Sequence, residues 1–298
     1  MRIARFDDHR LGLVEGDRIY DVTDALAAIS PMSWPAPLGD PLIRHLEAIR
    51  ERVTASGPTA SSLPLRDVRL QSPITSPTKV IAAPANYALH VSIDAQDPAV
   101  GHGLHDKQLA GVERPVDKLG LFLKASSSIV GPSEGIALKW PDRRNDHEVE
   151  LVAVIGRGGR DIKRQNAFDH VAGYMIGLDM TVRGTEDRSW RKSADGYTVL
   201  GPWLVTADEI QDPSSLTLSL SVNGEIRQSS STAAMTVGIA ELIEMASATY
   251  ELHPGDILMT GTPEGVSRVR AGDLLTATCE GIGEMQIEVR AYRREAAA

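Results

Sequence analysis

The sequence predicts an α+β fold that is rich in β-strands. Apolar residues occur largely in short alternating or continuous runs, and Gly, Pro, Asn and Asp separate these runs, as is typical of strands joined by tight turns. Asn223 and Gly224 lie between two such runs and predict a type I′ hairpin. Helical spacing of apolar residues is confined to short stretches, so we expect few helices, on the outside of the sheets.

The first 70 residues predict a small unit of their own. Its expected strands, each bounded by turn residues, are 3–6, 11–14 and 18–22. Apolar residues at helical spacing predict a helix at about residues 41–53, and a Ser-rich loop or linker follows at 56–62. We therefore predict a small N-terminal β-rich domain, residues 1–70, and a larger domain, residues 71–298.

The larger domain is predicted to hold most of the strands. They are expected at about residues 79–83, 119–124, 146–155, 173–179, 216–222, 225–228, 257–260, 274–278 and 285–289. Thr236 is placed to cap a helix with an apolar face, and a shorter helix is expected at 167–171. The Gly-Pro pair at 201–202 predicts a turn.

The composition is that of a soluble globular protein, with 42% hydrophobic and 24% charged residues. A net charge of −9 without a basic cluster argues against nucleic-acid binding. No apolar segment has the length of a bilayer span or a signal peptide, and the single cysteine, Cys279, suits a reducing compartment. We therefore expect a cytoplasmic protein with no nucleic-acid or membrane partner.

Acidic residues at alternate positions mark the stretch that points to a function. Asp146, Glu148 and Glu150 share one face of an extended strand, because side chains at i and i+2 point the same way. Such a row is either the solvated face of a sheet or a set of oxygen ligands for a hard divalent cation. A further candidate ligand, Asp179, ends the apolar strand at 173–179.

Four motifs in this order resemble those of the fumarylacetoacetate hydrolase family. They are DHEVEL at 146–151, GYMIGLD at 173–179, Lys192 followed by GPW at 201–203, and TGTPEGV at 260–266. The resemblance covers about residues 72–290. It implies the family's mixed β-sandwich roll with a small N-terminal β-rich domain.

The resemblance also implies a metal centre and a substrate class. Glu148, Glu150 and Asp179 would hold Mg²⁺, or Mn²⁺ or Ca²⁺ in its place. The substrate would be a small 2-oxo carboxylate that chelates the ion. The family further implies a homodimer.

The pattern Asn-Tyr-x-x-His is similar to the start of the family's mobile active-site lid, predicted here at about residues 86–118. The resemblance implies that Tyr87 contacts the substrate and that His90 activates water. On residue type alone, a structural or surface histidine is the commoner explanation of His90. The family's usual partner is a Glu three residues after this His, where the chain has Ile93. Asp94, at i+4, is predicted to take its place.

Four other residues match family positions near the substrate. Lys124 belongs to a Phe-x-Lys pattern and faces either the pocket or solvent. Arg183 and Lys192 lie in a charged segment that would otherwise be a solvated loop, and the resemblance places both at the site, although Gly184 stands where many members have Asp. Thr262 belongs to a loop of small residues, which lets backbone N–H groups approach a ligand closely.

The activity that the resemblance implies is hydrolysis. A metal-dependent hydrolase of this family cleaves a C–C bond of a β-diketo acid, such as an acylpyruvate or fumarylpyruvate, through a metal-bound enolate. Lys192 would stabilise the developing charge, and water activated by His90 would attack the distal carbonyl. The alternatives are a decarboxylase, isomerase or hydratase of a related 2-oxo or 2-hydroxydienoic acid in aromatic catabolism, and a non-catalytic 2-oxo-acid binding protein.

Overall fold

A computed structural model describes residues 1–32, 34–56, 60–87 and 112–292. The strands within these residues are β1 (Arg2–Phe6), β2 (Arg10–Glu15), β3 (Arg18–Asp21), β4 (Ser62–Pro64), β5 (Leu70–Gln71), β6 (Val80–Ala82), β7 (Phe122–Lys124), β8 (Ile129–Val130), β9 (Ile136–Leu138), β10 (Asn145–Asp146), β11 (Val149–Ile155), β12 (Val171–Asp179), β13 (Thr181–Val182), β14 (Thr198–Thr206), β15 (Thr217–Val222), β16 (Glu225–Ser231), β17 (Ile257–Met259), β18 (Arg268–Val269), β19 (Leu274–Cys279) and β20 (Gly283–Ala291). The α-helices are α1 (Pro41–Arg44), α2 (Leu46–Ser56), α3 (Pro115–Leu119), α4 (Arg188–Lys192) and α5 (Ile239–Thr249). The predicted β-rich α+β class is therefore confirmed.

Three sheets organise the strands of the described residues. The largest has twelve strands, in the order β4, β3, β2, β1, β14, β12, β11, β17, β6, β7, with β5 attached to β1 and β8 to β14. A five-stranded sheet has the order β16, β15, β19, β20, β9, and a small one the order β13, β10, β18. Strands β11, β12 and β14 lie in the middle of the large sheet and are almost wholly buried.

Strand β11 is buried on both faces, and its alternation positions the site. Leu151 belongs to a core that also contains Leu220 of the five-stranded sheet. Val152 and Val154 belong to a second core on the opposite face. Because side chains alternate along a strand, Glu150 lies on the same face as Val152. This acidic residue is therefore a continuation of an apolar row, at the end of the second core.

Residues 1–70 lie at one edge of the large sheet. Strand β1 pairs with β14, where Ile3 is opposite Leu204, and β2, β3 and β4 extend the sheet outward. Helices α1 and α2 contribute to a separate hydrophobic core that includes Ile3, Leu11 and Ile49. A domain boundary near residue 70 stays a prediction.

The predicted strand at 146–155 is interrupted, and this prediction was wrong. Asp146 belongs to β10 in the small sheet, whereas β11 in the large sheet begins at Val149. Between them, the backbone N–H of His147 donates to the carbonyl of Ser267 at 3.2 Å, next to the pairing of β10 with β18 in the small sheet. Asp146 is therefore held in a different sheet from Glu150.

Two predictions about local structure were also wrong. Gly201 and Pro202 do not form a turn but lie within β14, joined by a cis peptide bond. Thr236 does not cap α5, because the N-cap position is Gly238. The Thr236 hydroxyl instead donates to Asn86 Oδ1 at 3.0 Å, and so joins this turn to the segment before residue 87.

Other elements agree with the predictions or are shorter. Asn223 and Gly224 have φ of 52° and 83°, as a type I′ hairpin requires. The predicted helix at 41–53 is found as α1 and α2, and the predicted strand at 119–124 begins only at Phe122. Among the described residues, no helix combines the length and apolarity needed to cross a membrane.

Candidate metal centre

Three carboxylates meet where β11 and β12 pair. Glu148 precedes β11, Glu150 lies in β11, and Asp179 ends β12, with its backbone N–H donating to the Glu148 carbonyl at 2.9 Å. One candidate ligand atom from each of the three lies within 4.8 Å of the others. Their exposed fractions are 5%, 2% and 1%. The structure therefore brings the three predicted ligands together, and their role in metal binding stays a prediction.

Two buried lysines contact this cluster. The Lys192 ammonium donates to Glu148 Oε2 at 2.6 Å, to Asp179 Oδ2 at 2.7 Å and to the Thr181 hydroxyl at 2.6 Å. Lys124 donates to Asp179 Oδ1 at 2.6 Å, so of its two predicted orientations it adopts the inward one. Burial lowers the pKa of the Lys124 ammonium, and the Asp179 carboxylate opposes that shift. Both lysines thus reduce the repulsion among the carboxylates.

Glu150 has a different environment from the other two acids. Its Oε2 accepts a hydrogen bond from the backbone N–H of Gly261 at 2.7 Å. Gly261 has φ of 96°, and a Cβ at this position would come within 2.7 Å of Asn86 Cβ, so only glycine can present this N–H. Burial raises the pKa of the Glu150 carboxyl well above its usual value, and the Asp179 charge raises it further.

This donor set fits a hard divalent cation. The candidate ligand atoms are all carboxylate oxygens, which Mg²⁺, Mn²⁺ and Ca²⁺ prefer. Oxygens bound to one such ion at about 2.0–2.6 Å lie at most about 5 Å apart. The three carboxylates meet this condition. Because Glu150 has negative neighbours and a raised pKa, a further positive charge beside it would be stabilised.

Arg183 lies beside the cluster, where the resemblance places it. Its Nε donates to Asp146 Oδ2 at 2.7 Å, and its Nη2 donates to Glu148 Oε1 at 3.3 Å. Arg144 Nε also donates to Asp146, at 2.8 Å. Asp146 is thus paired with two arginines and orients Arg183, which is a different role from that of the three clustered carboxylates.

Behind the carboxylates lies a network of neutral polar groups. The Gln228 side-chain oxygen accepts from the Val149 backbone N–H at 3.1 Å and from His147 Nδ1 at 2.9 Å. Its amide nitrogen donates to Thr262 Oγ1 at 2.8 Å, and the Thr262 hydroxyl donates to the Val149 carbonyl at 2.9 Å. His147 Nε2 then accepts from the Ser267 hydroxyl at 2.8 Å. The network fixes the backbone that carries two of the carboxylates.

Sequence reasoning missed this network. The sequence predicts Gln228 only as the end of a strand. The residues just before it, Glu225 to Arg227, are all exposed, so local alternation does not indicate that Gln228 is buried. His147 was read as part of a motif, and burial lowers its pKa, so its ring is neutral in the network. The Thr262 hydroxyl donates its proton to the Val149 carbonyl of the strand, and its role in substrate binding stays a prediction.

The predicted lid residues are described only in part. Tyr87 is fully buried, and its hydroxyl has no hydrogen-bond partner among the described residues. Burial raises the pKa of this hydroxyl, and the Glu150 charge adds to the shift, so Tyr87 keeps its proton; its contact with the substrate stays a prediction. His90 and Asp94 lie outside the described residues, and their roles stay predictions.

Comparison with known proteins gives one consistent family. The family described as fumarylacetoacetate (FAA) hydrolase C-terminal matches residues 79–290. The maleylpyruvate hydrolase of Aquipseudomonas alcaligenes is 50% identical over 290 residues, which are 97% of this chain and 99% of that protein. A mitochondrial oxaloacetate tautomerase of Xenopus laevis is 33% identical over 303 residues, which are 95% of this chain and 88% of that protein.

A solved structure extends this similarity to the fold. It is the crystal structure of maleylpyruvate hydrolase from Sphingobium sp. SYK-6 in complex with manganese(II) ion and pyruvate. The TM-score is 0.80 and the sequence identity 38%, with 98% of this chain and 100% of that chain covered. The predicted family fold is confirmed, and this chain belongs to the fumarylacetoacetate hydrolase family.

Proposed function

We propose that this chain is a metal-dependent hydrolase that cleaves a C–C bond of an acylpyruvate, with maleylpyruvate as substrate. The predicted enzyme class is confirmed by the similarity to maleylpyruvate hydrolases over nearly the whole chain. The observation that carries the proposal is the buried cluster of Glu148, Glu150 and Asp179 with the Lys192 ammonium in contact. Water would add at C4 of maleylpyruvate, the C3–C4 bond would break, and maleate and pyruvate would leave.

We propose Mg²⁺ as the resident ion, with Mn²⁺ as a working substitute. Glu148, Glu150 and Asp179 would hold it, since carboxylate oxygens suit both ions. The Sphingobium structure contains manganese(II) and pyruvate, which supports a 2-oxo acid as the ligand of this site. When bound, the ion supplies Lewis acidity to the 2-oxo group.

Lys192 is placed to act on the reacting end of the substrate. Its ammonium lies 2.6 Å from Glu148 and 2.7 Å from Asp179, and the side chain is 8% exposed. A fixed positive charge at this depth stabilises negative charge that develops on the substrate oxygen. Lys124 donates to the other carboxylate oxygen of Asp179 and so orients this acid.

Hydrolysis also needs a group that deprotonates water and a donor that orients the substrate. We assign the first role to His90, supported by Asp94, from the family resemblance. Tyr87 suits the second, because its protonated hydroxyl is buried and has no partner within the described residues. Arg183 donates to Asp146 and Glu148 and so helps to fix these two acids in position.

The second candidate is an enol–keto isomerase or decarboxylase of a related 2-oxo acid. Two observations favour it. An oxaloacetate tautomerase is 33% identical over 95% of this chain, and Ile93 stands in place of the family's usual Glu. Isomerisation and decarboxylation would use the same carboxylates and Lys192 as hydrolysis, because these two reactions need only an electron sink. The water-activating group alone separates hydrolysis from these reactions.

We also propose that the chain forms a homodimer and is located in the cytoplasm. The dimer is proposed from the family resemblance, and light scattering after gel filtration tests it. The cytoplasmic location is supported by the single cysteine, Cys279, which is buried and not in a disulfide.

The test of the proposed function is a product analysis. Purified protein with Mg²⁺ is given maleylpyruvate and, separately, the enol form of oxaloacetate, and the products are separated by chromatography. We expect equal amounts of maleate and pyruvate from maleylpyruvate, and none in the presence of EDTA. Ketonisation or decarboxylation of oxaloacetate without any maleate from maleylpyruvate would instead establish the second candidate.

A further inference from the structure

One arginine beside the carboxylate cluster has no hydrogen-bond or ion-pair partner among the described residues. Arg188 begins α4, and Lys192 ends it. Residues at i and i+4 lie on the same side of a helix, so Arg188 is on the side from which Lys192 reaches the carboxylates. The Arg188 Cζ lies 5.4 Å and the Lys192 Nζ 5.7 Å from the centre of the Phe122 ring. The two cations therefore flank the same aromatic side chain.

The neighbouring arginines are all paired. Arg143 donates to both carboxylate oxygens of Glu186, each at 2.8 Å, and Arg191 Nε donates to the Glu186 carbonyl at 2.9 Å. Arg183 contacts two acids of the site, as described above. Arg188 is half-buried, and no hydrogen bond or ion pair joins it to the described part of the chain.

An unpaired guanidinium in this position loses part of its hydration without gaining a hydrogen bond, and a bound anion would offset that desolvation. Burial lowers the pKa of Arg188, and the Glu148 and Asp179 charges oppose the shift, so the group lies within the field of the carboxylate cluster. The nitrogen atoms of Arg188 are not fully buried, so a ligand can reach them. A partly desolvated guanidinium binds carboxylates through paired, charge-assisted hydrogen bonds.

The charges around the cluster favour a dianion over a monoanion. The side chains considered are the carboxylates Asp146, Glu148, Glu150 and Asp179 and the cations Lys124, Arg144, Arg183, Arg188 and Lys192. When all are ionised, the cations exceed the carboxylates by one, and a divalent ion makes this excess larger. A ligand with two negative charges compensates it better than a ligand with one.

We propose that Arg188 binds the distal carboxylate of the substrate, so that the enzyme selects acylpyruvates whose acyl group ends in a carboxylate. This inference rests on the proposed function and deepens it. The 2-oxo carboxylate end lies at the Glu148 cluster, the distal carboxylate lies at Arg188, and the Phe122 ring lies beside both cations. Maleylpyruvate has a carboxylate at its distal end, whereas acetylpyruvate has a methyl group there.

A binding experiment tests the inference independently of turnover. The ligands are 2-oxoheptanedioate and 2-oxoheptanoate, which have equal chain length and differ in the distal carboxylate, and affinities are measured by titration calorimetry with Mn²⁺ present. We expect the wild-type protein to bind the diacid about 10–100-fold more tightly than the monoacid. Arg188→Gln should reduce this ratio to about threefold or less, and Arg188→Lys should keep part of it.

Arg191→Gln is the matched control, because it removes the same charge from the same helix. It should retain the wild-type preference for the diacid. A wild-type protein without this preference, or an Arg188→Gln variant that keeps it, would overturn the inference. Because the wild-type comparison needs no variant, the test remains decisive even if a substitution impairs folding. A loss of preference in both variants would show a general charge effect and would also overturn it.

Turnover separates this inference from the proposed function. Arg188→Gln should lower kcat/KM for maleylpyruvate about 10–100-fold, mainly through KM, and change that for acetylpyruvate by about twofold at most. If the wild-type protein prefers the diacid in binding but hydrolyses no acylpyruvate, the hydrolase proposal fails and the role of Arg188 stands. If hydrolysis is normal and Arg188→Gln affects both substrates equally, the role of Arg188 fails and the hydrolase proposal stands.

Discussion

The two sides of the segment at residues 147–150 hold their polar groups in opposite ways. On one side, Glu148 and Glu150 meet Asp179 and Lys192 in a cluster of full charges. On the other side, Gln228 heads a network in which every hydrogen bond joins neutral groups. Both sides are buried, so each depends on its partners to offset desolvation.

The neutral network is a fixed support for the strand, whereas the charged cluster is a site at which binding partners can exchange. In the neutral network each amide hydrogen and lone pair of Gln228 has one partner of fixed polarity, so only one arrangement satisfies it. In the charged cluster, Lys192 occupies lone pairs that a divalent cation would also use. The cluster can therefore change partners when metal and substrate bind, while the network keeps the strand in place.

Removal of a cluster carboxylate should have the largest effect. Glu148→Gln keeps the side-chain shape and removes a charge that Lys192 contacts and that the proposed cation would contact. We expect at least about a 1000-fold loss of metal-dependent activity, with little change in the circular dichroism spectrum. The control is Glu186→Gln, which removes an acid that pairs with Arg143 outside the cluster. Unchanged Mg²⁺ affinity of Glu148→Gln in a calorimetric titration would refute its role as a ligand.

Lys192→Gln should separate metal binding from turnover. The substitution removes a positive charge that competes for Glu148 and Asp179, so divalent-ion affinity should equal or exceed that of the wild type. Turnover should nevertheless fall by about 10²–10³, because the stabilising charge at the reacting oxygen is lost. Calorimetry and steady-state kinetics on one preparation measure both quantities. Loss of metal affinity in parallel with activity would mean that Lys192 only shapes the cluster.

Gln228→Glu should destabilise the neutral network without removing a contact of the carboxylate cluster. The new carboxylate cannot donate to Thr262 or to the Pro263 carbonyl, where the amide donates at 2.8 Å. We expect the free energy of unfolding to fall by about 2–4 kcal/mol at neutral pH, and metal affinity by about 10–100-fold. The loss should shrink at low pH, where the carboxyl is protonated. Gln286→Glu, at an exposed position of β20, is the control, and equal stability of the two variants would contradict the account.

The smallest expected effect is on the pH dependence of metal binding. The pKa of Glu150 is raised by burial and by Asp179, so a proton competes with the cation at pH values above the usual 4.5 of this group. Folded metal-free protein should lose stability as pH rises from 4.5 through the raised pKa, because the folded state holds this proton more tightly than the unfolded state. Metal affinity should rise over the same interval, by up to about tenfold per pH unit.

Proton release measures this competition. Calorimetric titration of Mg²⁺ in buffers of different ionisation enthalpy should detect protons released on binding below the raised pKa of Glu150, and the release should disappear at higher pH. A pH-independent affinity without proton release would show that Glu150 is already ionised in the metal-free protein.

The sequence predicted the parts of the fold and site that depend on local spacing. The alternate spacing predicted that Glu148 and Glu150 lie on one side, and the motif order associated Asp179 with them; the three do meet in the structure, although Glu148 precedes the strand. Asp146 was placed wrongly, because the ring and backbone of His147 bind residues far along the chain and interrupt the strand. Such long-range bonds leave no signal in local spacing.

The sequence could not identify two of the residues that matter most. Gln228 becomes important only because folding places it between Val149 and Thr262, which are far from it in sequence. Arg188 lies among other charged residues, and nothing in their order shows that it lacks a hydrogen-bond or ion-pair partner within the described part of the chain. Pairing of charges is a property of the folded chain, and so the structure was needed to distinguish it.

We propose that the buried carboxylates hold the ion on which the chemistry depends. A crystal structure of the protein soaked with Mn²⁺ and pyruvate, with data collected for anomalous scattering of manganese, tests this directly. We expect an anomalous peak about 2.0–2.4 Å from oxygens of Glu148, Glu150 and Asp179, with pyruvate completing the coordination. Saturating Mn²⁺ with no peak between these carboxylates, and with Lys192 still bonded to Glu148 and Asp179, would contradict it.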